Sequence, residues 1–277
     1  MRIEVIHAGF FKLDGGAMFG VVPKSIWENI NPPDSKNLCT WAMRLLYIET
    51  GHHKVLIDTG MGEKQSPKFF SYYEPQGPKL EESLALKGIQ KEDITDVLLT
   101  HLHFDHCGGA VEEKEGILKP FFPNAKYWTN RAHLNWAQFP NEREKASFLK
   151  ENIEPLIQHG ALNFIEKEGE WISGIDIKFF HGHTESMMIP FIKYGDRTLV
   201  YCADLLPSAG HIPLPYIMAY DTRPLLTMEE KKLFLNQVAK EDQILFFEHD
   251  PIHECAELEK TEKGIRIKRT FNFVAQD

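Results

Sequence analysis

The chain has 277 residues, 43% of them apolar and 26% charged, a balance that supports one large folded domain with a sizeable core. Its formal net charge of −9 argues against nucleic acid as the main partner, because phosphate binding needs a concentrated basic face. Met1 to Leu13 contains no continuous apolar stretch before a small-residue cleavage site, and no run of about 18 apolar residues occurs, so neither a secretion signal nor a membrane partner is expected. Four scattered cysteines, Cys39, Cys107, Cys202 and Cys255, show no CxxC spacing and fit a reduced, cytoplasmic setting.

In chain order, Ile3 to His7 reads as a strand. Ala42 to Glu49 and Lys54 to Asp58 read as two strands joined by the turn Thr50-Gly51-His52-His53. Leu80 to Lys87 has helical spacing and stops at Gly88. Ile94 to Leu99 is a short β-branched run ending in Thr100, and Arg131 to Trp136 and Glu142 to Gln158 read as helices. Ile175 to Phe180 is a strand delivering His181-Gly182-His183, and Thr198 to Ala203 is a strand delivering Asp204. Met228 to Lys240 is a helix, Gln243 to Phe247 a strand delivering Glu248-His249-Asp250, and Ile265 to Phe273 a closing strand. Its basic run, Lys263 to Arg269, reads as the solvated face of a sheet edge. No low-complexity linker interrupts the chain, so a single domain over 1–277 is expected. The alternation of strands and helices predicts an α/β protein with two sheets flanked by helices.

The most informative segment is His101-Leu102-His103-Phe104-Asp105-His106. Three imidazoles and a carboxylate within six residues offer the nitrogen and oxygen donors that borderline metals such as zinc take. His101 and His103 share a side in extended backbone, because side chains alternate with period two. Asp105 and His106 lie beyond the strand end, where the chain turns toward a second ion. One metal cannot easily use four ligands from so short a segment, so the spacing points to two. His183, Asp204 and His249 follow later strands. Each alone is a weak signal, but in this order they supply the donors that the first motif lacks.

With Leu56-Ile57-Asp58-Thr59-Gly60 before them, these motifs make the sequence resemble the metallo-β-lactamase superfamily over nearly its whole length. The resemblance implies a four-layer αβ/βα sandwich. It also implies that His101, His103 and His183 bind one divalent ion and that Asp105, His106 and His249 bind another. Asp204 would bridge the two, and Asp58 would orient the metal loop. Zinc is the default, with manganese, iron and cobalt fitting the same donors. Leu13-Asp14-Gly15-Gly16-Ala17-Met18-Phe19-Gly20, Val21-Val22-Pro23-Lys24, Asp204-Leu205-Leu206-Pro207 and His211-Ile212-Pro213 resemble the lactonase and organophosphate-hydrolase branch.

The implied reaction is hydrolysis of a small ester-like substrate: a lactone such as an N-acyl homoserine lactone, an aryl ester or a phosphotriester. Two such ions would share a water and lower its pKa from about 15.7 toward 7, giving a bridging hydroxide that attacks the substrate. Asp105 would serve as ligand and base together, and His211 would donate a proton to the leaving group. Two departures stand out. Thr184-Glu185-Ser186-Met187 replaces the Pro-Gly-His of many relatives, and Pro207 stands where small lactonases place a substrate-holding Tyr. Tyr216, Tyr220 and His211 are the candidates for that role, and Phe19 is a candidate for an apolar substrate wall.

Cys107 reads as an inert buried thiol, and His52, His53, His159 and His253 as ordinary surface or hydrogen-bonded residues. The rivals are a glyoxalase II-like thioesterase, a nuclease of the same superfamily and a non-catalytic binding module. The first lacks its C-terminal substrate-binding helices here, the second its basic groove, and the third is disfavoured because all seven ligand positions are filled. A homodimer is suggested by the resemblance alone.

Overall fold

The computed structural model describes residues 1–275, so the last two positions of the expected 1–277 domain lie outside the described residues. The chain divides into two compact units, one built from Met1–Phe10 and Met43–Glu168 and the other from Phe11–Ala42 and Gly169–Val274.

The first unit is organised on a six-stranded sheet. Its members are β1 (Arg2–Asp14), β2 (Leu38–Thr50), β3 (His53–Ile57), β4 (Asp96–Leu98), β7 (Lys126–Thr129) and β8 (Leu162–Phe164), hydrogen-bonded in the order β1-β2-β3-β4-β7-β8. A separate hairpin, β5 (Val111–Lys114) with β6 (Ile117–Pro120), lies outside it. β2 and β3 pair antiparallel through the expected turn, with Gly51 at φ 58°. From β3 onward the pairing is parallel, and β4 is buried throughout as Asp96, Val97 and Leu98. Parallel strands are covered on both faces. Here the core is built from Leu45, Tyr47, Leu56, Val97, Leu99 and Tyr127, with Leu84, Ile153 and Leu156 supplied by helices. Leu80–Leu86 forms the expected helix, closed by Gly88 at φ 72°.

The second unit carries a seven-stranded sheet. Its strands are β9 (Gly169–Ile172), β10 (Ile175–Phe180), β11 (Met187–Tyr194), β12 (Arg197–Tyr201), β13 (Ile244–Phe246), β14 (Cys255–Thr261) and β15 (Gly264–Phe271), in spatial order from β15 to β9. β12 and β13 are the parallel pair, and the helix Pro224–Lys240 runs between them in sequence, as parallel neighbours need a crossover connection.

Two expectations need correction. The helix read from Glu142 covers only Lys150–Gln158, after a short turn at Lys145–Ser147. Phe148 and Leu149 hold extended backbone, at ψ 104° and 123°, which breaks any helix running through them. The helix read from Met228 begins four residues earlier, at Pro224. Proline is suited to a first helical turn, where its missing N–H costs no bond. All four cysteines are buried free thiols. No helix among the described residues is long and apolar enough to cross a membrane.

Candidate metal centre

In the first unit, β3 and β4 end side by side, with Ile57 paired to Leu98, and each releases a polar segment from an apolar strand. Asp58 leaves β3 at φ 59°, and its fully buried carboxylate becomes the organiser of the turn after β4. One oxygen accepts from the Thr100 amide at 2.7 Å. The other accepts from Thr100 Oγ1 at 2.7 Å and lies 3.1 Å from His106 Nδ1.

The chain then bends at Thr100 and again at His103 into the one-turn helix Phe104–Cys107. That path brings the rings together, His101 lying edge-on to His103 at 4.5 Å between centres and tilted against His106 at 3.9 Å. Gly108 and Gly109 follow because there is no room for a side chain. A Cβ on Gly108 would stand 2.1 Å from the Met61 carbonyl oxygen, and one on Gly109 would stand 2.2 Å from that of Thr59.

Each imidazole of this segment is anchored through one ring nitrogen. Thr100 Oγ1 already donates to Asp58, so it accepts from His101 Nδ1 at 3.1 Å. His103 Nε2 lies 2.9 Å from Glu144 Oε1, and His106 Nδ1 faces Asp58. Glu144 is itself held by Trp136 Nε1 at 2.6 Å and Asn141 Nδ2 at 3.2 Å. A carboxylate or hydroxyl on one nitrogen fixes the tautomer and leaves the lone pair on the other, as at metal-ligating histidines. Asp105, 7% exposed, has Oδ2 4.0 Å from His106 Nε2.

The second unit repeats this with donors from three strand ends. His183 follows β10, Asp204 sits in the turn Ala203–Leu205 after β12, and His249 follows β13. The Asp204 carboxylate joins the other two, with Oδ2 3.1 Å from His183 Nε2 and Oδ1 3.1 Å from His249 Nε2. The far nitrogens are anchored as before. His183 Nδ1 lies 2.7 Å from Asp221 Oδ1, and His249 Nδ1 donates to the Ala42 carbonyl at 2.7 Å. Burial works against charge on His183, but Asp204 and then Asp221 outweigh it and hold its pKa up to about 10.

The loop carrying His183 is secured from the helix that follows β12. Glu230 accepts from the amides of His181 and Gly182 at 2.8 and 2.9 Å, and Arg223 pairs with Glu185 at 2.8 Å. Glu185 also faces His181 Nδ1 at 3.0 Å. Thr184-Glu185 thus brings its own ionic brace to the place where the resemblance led one to look for Pro-Gly-His.

His211 is not placed as an acid. Its Nε2–H donates to the Met18 carbonyl at 2.9 Å, so Nδ1 accepts from Ser208 Oγ at 2.7 Å. Burial drives its pKa down to about 3. The neutral ring stacks 4.7 Å from Phe19, which in turn stacks 5.7 Å from Trp27. Phe19 is completely buried, so this stack is packing in the second unit and not a substrate wall. Tyr216 is half-buried on a loop whose carbonyls, at Pro213 and Tyr216, accept from the buried Lys231 at 2.8 and 2.9 Å. Tyr220 is 38% exposed on the same loop. The Pro207 carbonyl accepts from the His249 amide at 3.1 Å. Cys107 points away from the donors, giving its Sγ–H to the Leu102 carbonyl at 3.3 Å, and burial raises its pKa to about 12.

Several residues escaped the sequence reading. Glu144 and Asp221 lie 41 and 38 residues from the histidines they hold, and neither belongs to a recognisable spacing. The helix Pro67–Tyr73, capped by Ser66, brings Phe69 and Tyr73 within 5.2 and 4.6 Å of the Phe104 ring. These three rings form an apolar wall beside Asp105. Burial, and then the Asp105 charge, raise the Tyr73 pKa to about 12. The pair Ser66-Pro67 was the available signal, since it reads as a helix start.

The comparisons agree with this picture. The family model of the metallo-β-lactamase superfamily matches residues 45–249. An N-acyl homoserine lactonase of Bacillus cereus is 28% identical over 240 residues, covering 82% of this chain and 87% of that protein. The crystal structure of a probable metal-dependent hydrolase from Staphylococcus aureus superposes with a TM-score of 0.88 at 26% identity, covering 98% of both chains. A dizinc quorum-quenching lactonase in complex with a product shares the fold, at a TM-score of 0.76 and 23% identity over 98% of this chain and 95% of its own. The chain belongs to the metallo-β-lactamase superfamily, with its mixed α/β fold, and is a metal-dependent hydrolase.

Proposed function

We propose that this protein hydrolyses a small ester-like substrate, with an N-acyl homoserine lactone first among the candidates and aryl esters and phosphotriesters next. The two units together would form the single hydrolase domain. In this reading His101, His103 and His183 hold one divalent ion, Asp105, His106 and His249 hold a second, and Asp204 serves both. The observation that carries it is the anchoring of all five imidazoles through one ring nitrogen each. His53 and His181 are also held through one nitrogen but lie exposed, whereas these five are all buried, with one nitrogen held and the other left to face an ion, as ligands need. Zinc suits the donor set, and a cytoplasmic setting suits four free thiols.

The bound ions would supply Lewis-acid charge and a water made acidic enough to react near neutral pH. The chain's own residues do the rest. Asp105 accepts a proton at its carboxylate and passes it toward the leaving oxygen. Asp58, Glu144 and Asp221 keep the imidazoles neutral on their ligand side and fixed in orientation. Phe69, Tyr73 and Phe104 exclude water beside Asp105 and offer an acyl chain an apolar surface. The lactone assignment leans on that wall and on the N-acyl homoserine lactonase relative of Bacillus cereus.

The test is metal analysis of the purified protein, followed by a panel of acyl homoserine lactone, aryl ester, phosphotriester, thioester and RNA. Two bound equivalents of metal and chelator-sensitive lactone hydrolysis are expected. A protein without metal would overturn the site, and turnover of the thioester or RNA alone would overturn the substrate class.

A further inference from the structure

We propose that His133, a residue outside the ligand set, is a positioning residue for the metal centre. Its imidazole accepts a hydrogen bond from the peptide amide between His101 and His103, and so sets the direction in which both side chains leave the backbone. The role rests on the metal reading of His101 and His103, and every residue involved belongs to the first unit.

The need arises where the chain leaves the sheet. β4 ends at Leu98, the Leu99 amide still donates to the Trp128 carbonyl at 2.9 Å, and the Thr100 amide is taken by Asp58. Leu102 follows in irregular backbone and is completely buried. A buried amide needs an acceptor, and here a side chain supplies it. The Leu102 N–H donates to Nε2 of the completely buried His133 at 2.8 Å. On its other side, the Leu102 carbonyl accepts from Cys107 Sγ at 3.3 Å. The residue between the two histidines is therefore gripped at both its polar groups, and a backbone rotation there would swing one imidazole away from the other.

The helix Arg131–Gln138 is placed for this task. Asn130 caps it directly after β7, accepting from the amides of Ala132 and His133 at 2.8 and 3.3 Å and donating to the Ile165 carbonyl at 2.9 Å. One turn on, Trp136 shares the face of His133 and holds Glu144, the acid that faces His103 Nε2. Phe148 packs against both imidazoles, its ring 4.9 Å from His103 and 5.8 Å from His133. One helix face thus controls the backbone of the His101–His103 pair directly and the ring of His103 through Glu144. The same bond explains why a buried imidazole centred 6.3 Å from that of His101 is no part of the ligand set. A ring that accepts at Nε2 carries its proton on Nδ1, and its Nε2 lone pair is spent on the amide.

Nitrogen-15 spectra of the histidine rings, before and after metal loading, test this in the wild-type protein. His133 should be neutral with its proton on Nδ1 in both states, and its Nε2 should show no coupling to cadmium-113 in the cadmium-loaded protein. A proton on Nε2, or a cadmium coupling there, would overturn the proposal. His133→Phe keeps a ring but removes the acceptor, and His133→Gln returns an acceptor oxygen near the same place. The Phe variant should bind zinc about 10–100-fold more weakly, and the Gln variant should recover to within about threefold of wild type. Unchanged zinc affinity in His133→Phe, or a Gln variant no better than the Phe variant, would also overturn it. Should His133→Phe not fold, the ring spectra and His133→Gln decide. A wild type that binds no metal overturns the metal reading and this role together, whereas a metal-loaded protein indifferent to His133→Phe overturns the role alone.

Discussion

The two units solve one problem in opposite ways. The first gathers four donors into a single hexapeptide, braced by the carboxylates of Asp58 and Glu144. The second draws three donors from three strand ends, joined by the Asp204 carboxylate and braced by Asp221 and a backbone carbonyl. A contiguous cluster depends on local turn geometry, so it needs buried acids to orient the rings. A dispersed cluster takes its backbone geometry from the sheet register, and its acids, Asp204 and Asp221, orient the rings of His183 and His249.

The largest effect should come from Asp105→Ala, which removes the proposed ligand and base together. A fall in turnover of about 10²–10⁴-fold is expected, and near-normal turnover would break the comparison by showing that the hexapeptide is not the catalytic half. Asp204→Asn should come next, because it unlinks the dispersed half. Metal content measured by plasma emission should fall below half of the wild-type value, and full occupancy would show that the sheet register alone holds that half. The braces sharpen the contrast further. Asp58→Asn and Asp221→Asn should each weaken metal affinity about 10–100-fold. Asp58→Asn should also lower the melting temperature, since Asp58 accepts from Thr100 twice as well as facing His106. Equal losses of stability in the two variants would erase the distinction between a local and a global scaffold.

The smallest effect concerns His211. Its folded pKa, about 3, lies below its ordinary value of 6.5. Between those values the unfolded chain binds a proton that the folded one refuses. Stability from this ring is therefore present above about pH 6.5 and lost progressively as the pH falls toward 3. His211→Gln should melt at a temperature that declines less steeply over that window. Parallel pH profiles for variant and wild type would show that the buried ring is not responsible.

The same contrast explains what could be read from the sequence. The hexapeptide carries its chemistry in adjacent letters, and the apolar runs Ile175–Phe180 and Ile244–Phe246 locate the strands that deliver His183 and His249. Glu144 and Asp221 are ordinary acids in polar stretches, and only the folded chain brings them to their histidines. The misread helix has a local cause as well, because the apolar spacing from Glu142 onward does not reveal the extended backbone at Phe148 and Leu149. His211 reads differently for a related reason: a histidine near the proposed bridging acid suggests proton transfer, but burial against Phe19 removes its charge.

The glycine pair behind the hexapeptide sets a boundary on how this enzyme can be altered. Gly108 and Gly109 press directly on the backbone of Met61 and Thr59, so even one methyl group there would disturb the turn. New specificity must then be written elsewhere. The helix Pro67–Tyr73 is the natural place, because its rings can be exchanged while the catalytic turn keeps its shape. The centre is thus built as an inflexible chemical core with an editable border, and directed evolution toward new esters should accumulate its successful changes along that border.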